Sequence, residues 1–294
     1  MLIKIIDILG SLFGWFFFYV IPVRKRIVIQ NLRQAYGGEK KPSEIQKIAC
    51  QNYQHYGKLF FELIFFKKKK HYENHIKIEN PEIIDAAFSK GKGVLLLSAH
   101  MGNFEIAIKS FFLMNQTLHS VVRQVKPKIL EALITRFRAY PGLKLVPARH
   151  SYQTILSLLV QNKMVGFALD QHKGTRCVQV DFFGKRASTA TGLAALALES
   201  GAAVIPVCLL RRADGGFTIQ FEPPIPLTQT GNRDFDIFYN TQIFTKKIES
   251  WIRRHPEQWF WLHRRWKAFD PPEQPIAPII PFHPEAYTAW LKSR

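Results

Sequence analysis

The chain of 294 residues carries 41 Lys and Arg against 22 Asp and Glu, a formal charge of +19. It is 47% hydrophobic and 13% aromatic, which excludes a disordered tail and supplies a sizeable core for one large domain or two small ones. A charge so far from zero points to an anionic partner: a nucleic acid, an acidic membrane surface or an acidic protein.

The first residues choose among these partners. An apolar run from Ile8 to Val23 contains Trp15 and Tyr19 and is followed by Arg24, Lys25 and Arg26. It falls slightly short of the roughly 20 residues that span a bilayer. The charges lie mostly on its far side and no small-residue cleavage site follows, which argues against a removed signal peptide. Residues 1–26 therefore read as a membrane anchor, either a tilted span or a helix lying in the interface, with a buried core helix as the competing reading. Basic residues just behind the run favour a following domain on the cytoplasmic side.

From Lys25 to about Asn80 the periodicity is helical. "RIVIQNLRQAYGG" stops at Gly37 and Gly38, and a second helix opens at Pro42 and Ser43. The four lysines 67–70 that follow suit either a solvated face or anionic lipid heads. The middle then alternates short apolar runs ("GVLLLSA", "LHSVVRQ", "LKLVPAR", "MVGFALD", "AAVIPVCLL") with helical stretches ("FEIAIKSFFLM", "PKILEALITRFRAY", "SYQTILSLLVQ", "TGLAALALES"). That alternation predicts an α/β fold, a largely parallel mixed sheet flanked by helices, with an N-terminal membrane-associated helix. "FTIQFEPPIPL" runs into prolines, as an edge strand does, and "FFGKRASTATG" reads as a loop. Residues 271–294 are proline-rich and read as a peripheral tail.

Polar residues converge at the carboxyl ends of the predicted strands, where α/β sheets place their sites. His100, Arg123 and Asp170 each end one such run. Glu105 follows His100 at a spacing that one regular helix would place about 140° away. A strand ending at His100, a turn through Met101 and Gly102, and a helix capped by Asn103 would instead bring the two together. Asn103 and Glu105 also have a purely structural reading, as cap and dipole partner. A histidine held by a carboxylate can take a proton from a hydroxyl. The chain has no G-x-S-x-G elbow, Walker A loop, H-E-x-x-H motif or G-x-G-x-x-G fingerprint, and Cys50, Cys177 and Cys208 form neither a disulfide frame nor a zinc site. No metal or cofactor is expected, and a bound hydroxyl is a better nucleophile than any side chain.

"HMGNFE" matches the H-x4-E motif of the glycerolipid acyltransferase superfamily. In order along the chain, "NLRQAYG", "VVRQ", "TRFRAY", "ALDQHKG", "VDFFGKRASTATGLAALALESGAAVIPV" and "HPEQWFWLHRRWK" resemble the bacterial lipid A biosynthesis (late, lysophospholipid-type) acyltransferase family. The resemblance implies an acyltransferase domain over residues 27–270. It implies transfer of a fatty acyl chain from acyl carrier protein or acyl-CoA to a hydroxyl of a membrane glycolipid, such as a lipid A precursor, at the cytoplasmic face of the bacterial inner membrane. His100 would be the general base and Glu105 its partner. Asn103, Arg123, Arg138, Asp170 and Gln171 would bind substrate, Arg123 less securely because Gln124 replaces the proline of the family's "YRP" segment. Acyl carrier protein, anionic lipids and the glycolipid are the partners expected; no nucleic acid is. The oxyanion donors are expected to be Arg138 or the amides near Gly102. Phe182, Phe183 and Gly184 border an acyl channel or pack the core, and "WFWLHRRW" lies at the lipid–water boundary or packs the core.

Overall fold

The computed structural model describes residues 2–66, 69–122 and 142–267. Three helices lead: α1 (Leu2–Tyr19), α2 (Lys25–Tyr36) and α3 (Pro42–Phe65). β1 (Ile76–Glu79) and α4 (Glu82–Phe88) precede the run that holds His100. There β2 (Val94–Ser98) leads into α5 (Phe104–Leu113), β3 (Leu118–Val122), β4 (Leu143–Pro147), α6 (Tyr152–Val160) and β5 (Met164–Ala168). A hairpin, β6 (Cys177–Phe182) and β7 (Lys185–Ala190), is followed by α7 (Gly192–Ser200), β8 (Ala203–Arg211), β9 (Phe217–Phe221) and α8 (Arg233–Arg254).

Seven strands form one sheet in the order β1-β9-β8-β2-β5-β3-β4. Every neighbouring pair is parallel except β8 with β9, so the predicted mixed, largely parallel α/β sheet is the one formed. The central strands are apolar throughout because helices cover both faces. Val94 and Leu96 of β2 pack into a core with Ile106, Phe111 and Phe217, while Leu95 and Leu97 face a second core with Leu193, Ala197 and Ile248.

Three expectations change. β9 is interior, because its antiparallel turn from β8 leaves its other side to the four-residue β1, and β1 takes the edge within a stretch whose pattern reads as helical. The expected loop at 182–192 is mostly hairpin. It turns at Phe183 and Gly184, both at positive φ, and the Asp181 carboxylate accepts from the Gly184 amide. Phe182 and Phe183 are buried against Trp259, Trp261 and Trp266, which is core packing.

The N-terminal helix lies along α3. Ile6, Gly10, Gly14 and Phe18, four residues apart, form its buried stripe. A Cβ on Gly57 of α3 would stand 2.1 Å from the Gly10 carbonyl oxygen, so glycines set how closely the two backbones approach. α1 is the one helix among the described residues long and apolar enough to cross a membrane. The predicted tail lies outside the described residues.

Candidate active site

The site is built by strand register. β2 and β5 run parallel with Ser98 opposite Ala168, so the residues two positions beyond each strand, His100 and Asp170, come side by side. His100 Nδ1 lies 2.8 Å from Asp170 Oδ1, and the His100 amide donates to Asp170 Oδ2 at 3.0 Å. The indole N–H of Trp259 donates to the same Oδ2 at 2.8 Å. An ionised carboxylate only accepts, so the Nδ1 nitrogen carries the proton and Nε2 keeps its lone pair. Asp170 is sealed, with 1% of its side chain exposed, while the imidazole is 29% exposed. Burial alone would raise the Asp170 pKa; the His100 charge and the three donors outweigh it and hold the carboxyl down at about 2. Phe104 and Phe260 flank the ring. The Gln171 side-chain amide lies 3.4 Å and 3.5 Å from the two ring nitrogens, beside the imidazole and too far for a strong bond to either.

The carboxylate on the imidazole is therefore Asp170, expected to bind substrate, and not Glu105. Strand adjacency brings the former from 70 residues away. Glu105 sits buried in the first turn of α5, one turn from Lys109, whose ammonium it helps keep charged against burial. Asn103 is corrected too. It is fully buried, its Oδ1 accepts from the Ile106 amide at 3.1 Å as an N-cap, and its Nδ2 donates to Glu62 at 2.7 Å. Both ends of this fully buried amide are engaged in holding the loop, a structural role. Arg123 and Arg138 lie outside the described residues. Of the amides near Gly102, those of His100, Met101 and Gly102 already donate to Asp170, Ala99 and Gln258.

The loop after β2 is pinned from several directions. The Phe260 amide donates to the His100 carbonyl, and Met101 bridges Trp259 as in an antiparallel strand. That 257–263 segment is itself clamped. Asn52 donates to the Glu257 and Trp259 carbonyls and Asn31 to those of Trp261 and His263, all at 2.7–2.8 Å. His55 of α3 reaches the Gly102 carbonyl at 3.2 Å. Glu62 of α3 pairs with Arg211 at the end of β8 through both carboxylate oxygens. Trp259 and Trp261 are core residues, and so is Arg265, which donates to the β7 Ser188 carbonyl and the Thr189 hydroxyl. The lipid-boundary reading of these three is thereby set aside. Trp259 was not among the expected site residues. A signal existed: a buried indole N–H needs an acceptor, but the sequence does not say which.

Two predictions arise here. Burial, with the Arg211 charge, pulls the His55 pKa down to about 3, so that it is neutral. The unfolded chain then binds the extra proton between about pH 6.5 and 3, and stability falls as pH is lowered through that window. Asp170 adds a loss below about pH 4. Its folded pKa is depressed, so its contribution disappears as pH falls toward 2. Thermal melts from pH 7 to 4 should show the decline, and His55→Gln should flatten it. Second, Trp259→Phe keeps the packing but removes a donor from Asp170. A stability cost of about 1–3 kcal/mol and an altered pH–rate profile are expected, read by melting and by kcat against pH.

The chain is also similar to known proteins. The chain is 25% identical over 230 residues to a phosphatidylinositol mannoside acyltransferase of Mycobacterium tuberculosis, covering 75% of this chain and 71% of that protein. It is 25% identical over 250 residues to the lipid A biosynthesis palmitoleoyltransferase and, separately, to the lipid A biosynthesis lauroyltransferase of Escherichia coli, covering 83% of this chain and 79% of each. The profile described as "Bacterial lipid A biosynthesis acyltransferase" matches residues 1–268. With nearly its whole length matched, the chain belongs to the bacterial lipid A biosynthesis acyltransferase family.

Proposed function

We propose that the protein transfers a fatty acyl chain from the thioester of acyl carrier protein or CoA to a hydroxyl of a membrane glycolipid, with His100 as the general base. The observation that carries the reading is the Trp259–Asp170–His100 chain of hydrogen bonds, which fixes the proton on Nδ1 and leaves the lone pair on Nε2. In the reaction Nε2 takes the hydroxyl proton as the alcohol oxygen attacks the thioester carbonyl. The tetrahedral oxyanion collapses, the carbon–sulfur bond breaks, and the imidazolium returns its proton to the leaving thiolate. Asp170 holds the ring in its productive tautomer and stabilises the imidazolium between these steps. Gln171 borders the space at Nε2 and is placed to donate to the acceptor hydroxyl or the carbonyl oxygen. Arg138 is a candidate for the oxyanion donor that the reaction requires.

The names of the relatives, lipid A and phosphatidylinositol mannoside acyltransferases, support a glycolipid acceptor. The +19 charge supports an acidic carrier protein as donor and anionic lipid heads as the surface, at the cytoplasmic face of the inner membrane. The test is an assay of membranes holding the protein, with labelled acyl carrier protein or acyl-CoA and a panel of glycolipid acceptors. Acylated acceptor is the expected product. Free fatty acid without acylated acceptor would make the protein a hydrolase that uses the same histidine on water.

A further inference from the structure

We infer that α1 does not cross the bilayer but lies flat in one leaflet's interface, paired with α3, so that both of its ends stay on the side of the catalytic body. The argument starts from where those ends go. At the N-terminal end Leu2, Ile3 and Ile6 pack with Phe217 and Ile219, on one face of the sheet, and Ile3 abuts Gly215 in the turn between β8 and β9. At the other end Phe18 is buried with Val28 and Tyr53, in the core on the opposite face. Eighteen helical residues cover about 27 Å, and both ends of that length are fixed to a single body. A spanning α1 would leave one end across the membrane.

The partner helix closes the alternative of sinking the pair together. α3 runs antiparallel to α1, with Lys58 paired to Asp7, and the Gly10 and Gly14 stripe lies against Gly57 and the backbone at Tyr53 and Gln54. Its other side holds His55 on Gly102, Asn52 on Trp259, and Glu62 on Asn103 and Arg211. A bilayer core around α3 would take in this polar lattice and the active-site loop with it. What remains for lipid is the outward face: Ile8, Leu12, Trp15 and Tyr19 of α1 with Phe60 and Ile64 of α3, all more than 40% exposed. Exposed bases stand at both ends, Lys4 at one and Arg24 and Arg26 at the other, the arrangement that matches anionic head groups beside an in-plane helix.

The proposal rests on the acyltransferase reading only in naming the surface's use. Because α3 separates α1 from the His100 loop by one helix thickness, a lipid acceptor reaches Nε2 without leaving the leaflet. The test is topological and needs no activity. Lys4→Cys and Ile21→Cys are made singly in full-length protein whose Cys50, Cys177 and Cys208 are replaced by alanine. Membrane-impermeant maleimide is applied to inverted and to right-side-out inner-membrane vesicles, with detergent-solubilised protein as the total. Both positions should label from inverted vesicles and neither from right-side-out ones, with the protein sedimenting with membranes until detergent is added. Labelling of the two positions from opposite faces, labelling of neither from either face, or a protein recovered in the soluble fraction would each overturn the inference. The same pattern is expected of an inactive His100→Ala protein, which separates this result from failure of the catalytic reading.

Discussion

Replacing Asp170 with asparagine is expected to lower turnover by about three to four orders of magnitude while leaving the fold in place. Two donors, the His100 amide and the Trp259 indole, converge on Oδ2, and only a carbonyl-type oxygen satisfies them. An asparagine therefore turns its Oδ1 to that position and its NH2 toward His100 Nδ1. The amide then donates where the carboxylate accepted, the imidazole proton moves to Nε2, and the nitrogen that should take the alcohol's proton is occupied. The charge that steadies the imidazolium is lost as well. Single-turnover rates with saturating donor and acceptor measure the effect, with a melting curve to show that the protein is folded. A loss of less than about tenfold would remove Asp170 from the mechanism.

The second large effect is on stability. Glu62→Ala leaves the Arg211 guanidinium, whose side chain is only 9% exposed, without its carboxylate, and leaves Asn103 Nδ2 without its acceptor. Breaking a buried ion pair on one side costs about 3–5 kcal/mol because the surviving charge remains desolvated, which corresponds to a fall in Tm of roughly 6–20 °C. Since Asn103 caps the helix that follows His100, turnover should drop at temperatures where the protein is still folded. Removing both charges together, as Glu62→Leu with Arg211→Met, should recover much of the stability, because the penalty belongs to the unpaired charge rather than to the missing bond. Denaturant midpoints of wild type, Glu62→Ala and the double variant decide this, and a double variant no more stable than Glu62→Ala would contradict it.

Much of the fold was legible because its signals are local. The runs that became β2, β3, β4, β5 and β8 are apolar and end in polar residues or turns, and Gly37 and Pro42 punctuate the helices where the structure does. The cap at Asn103 was readable for the same reason. What escaped depends on order across the sheet. β1 is four residues, Ile76–Glu79, whose partner β9 lies some 140 residues on. The pairing of His100 with Asp170 requires β2 and β5 to be neighbours although β3 and β4 separate them in sequence. Once that adjacency is known the register places the two residues together; before it, Glu105, only five residues away, is the natural carboxylate to choose. Trp259 comes from still further, in a segment held at the site by the Asn31 and Asn52 clamp and by the Met101 bridge.

The central claim is that one solvent-reaching imidazole nitrogen removes the acceptor's proton. The most direct measurement is acyl transfer by His100→Ala in membranes, beside wild type at equal protein, with labelled acyl donor and a glycolipid acceptor. A fall of more than a hundredfold in product, with membrane attachment and melting temperature near those of wild type, is the predicted result. Near-normal acyl transfer by that variant would contradict it.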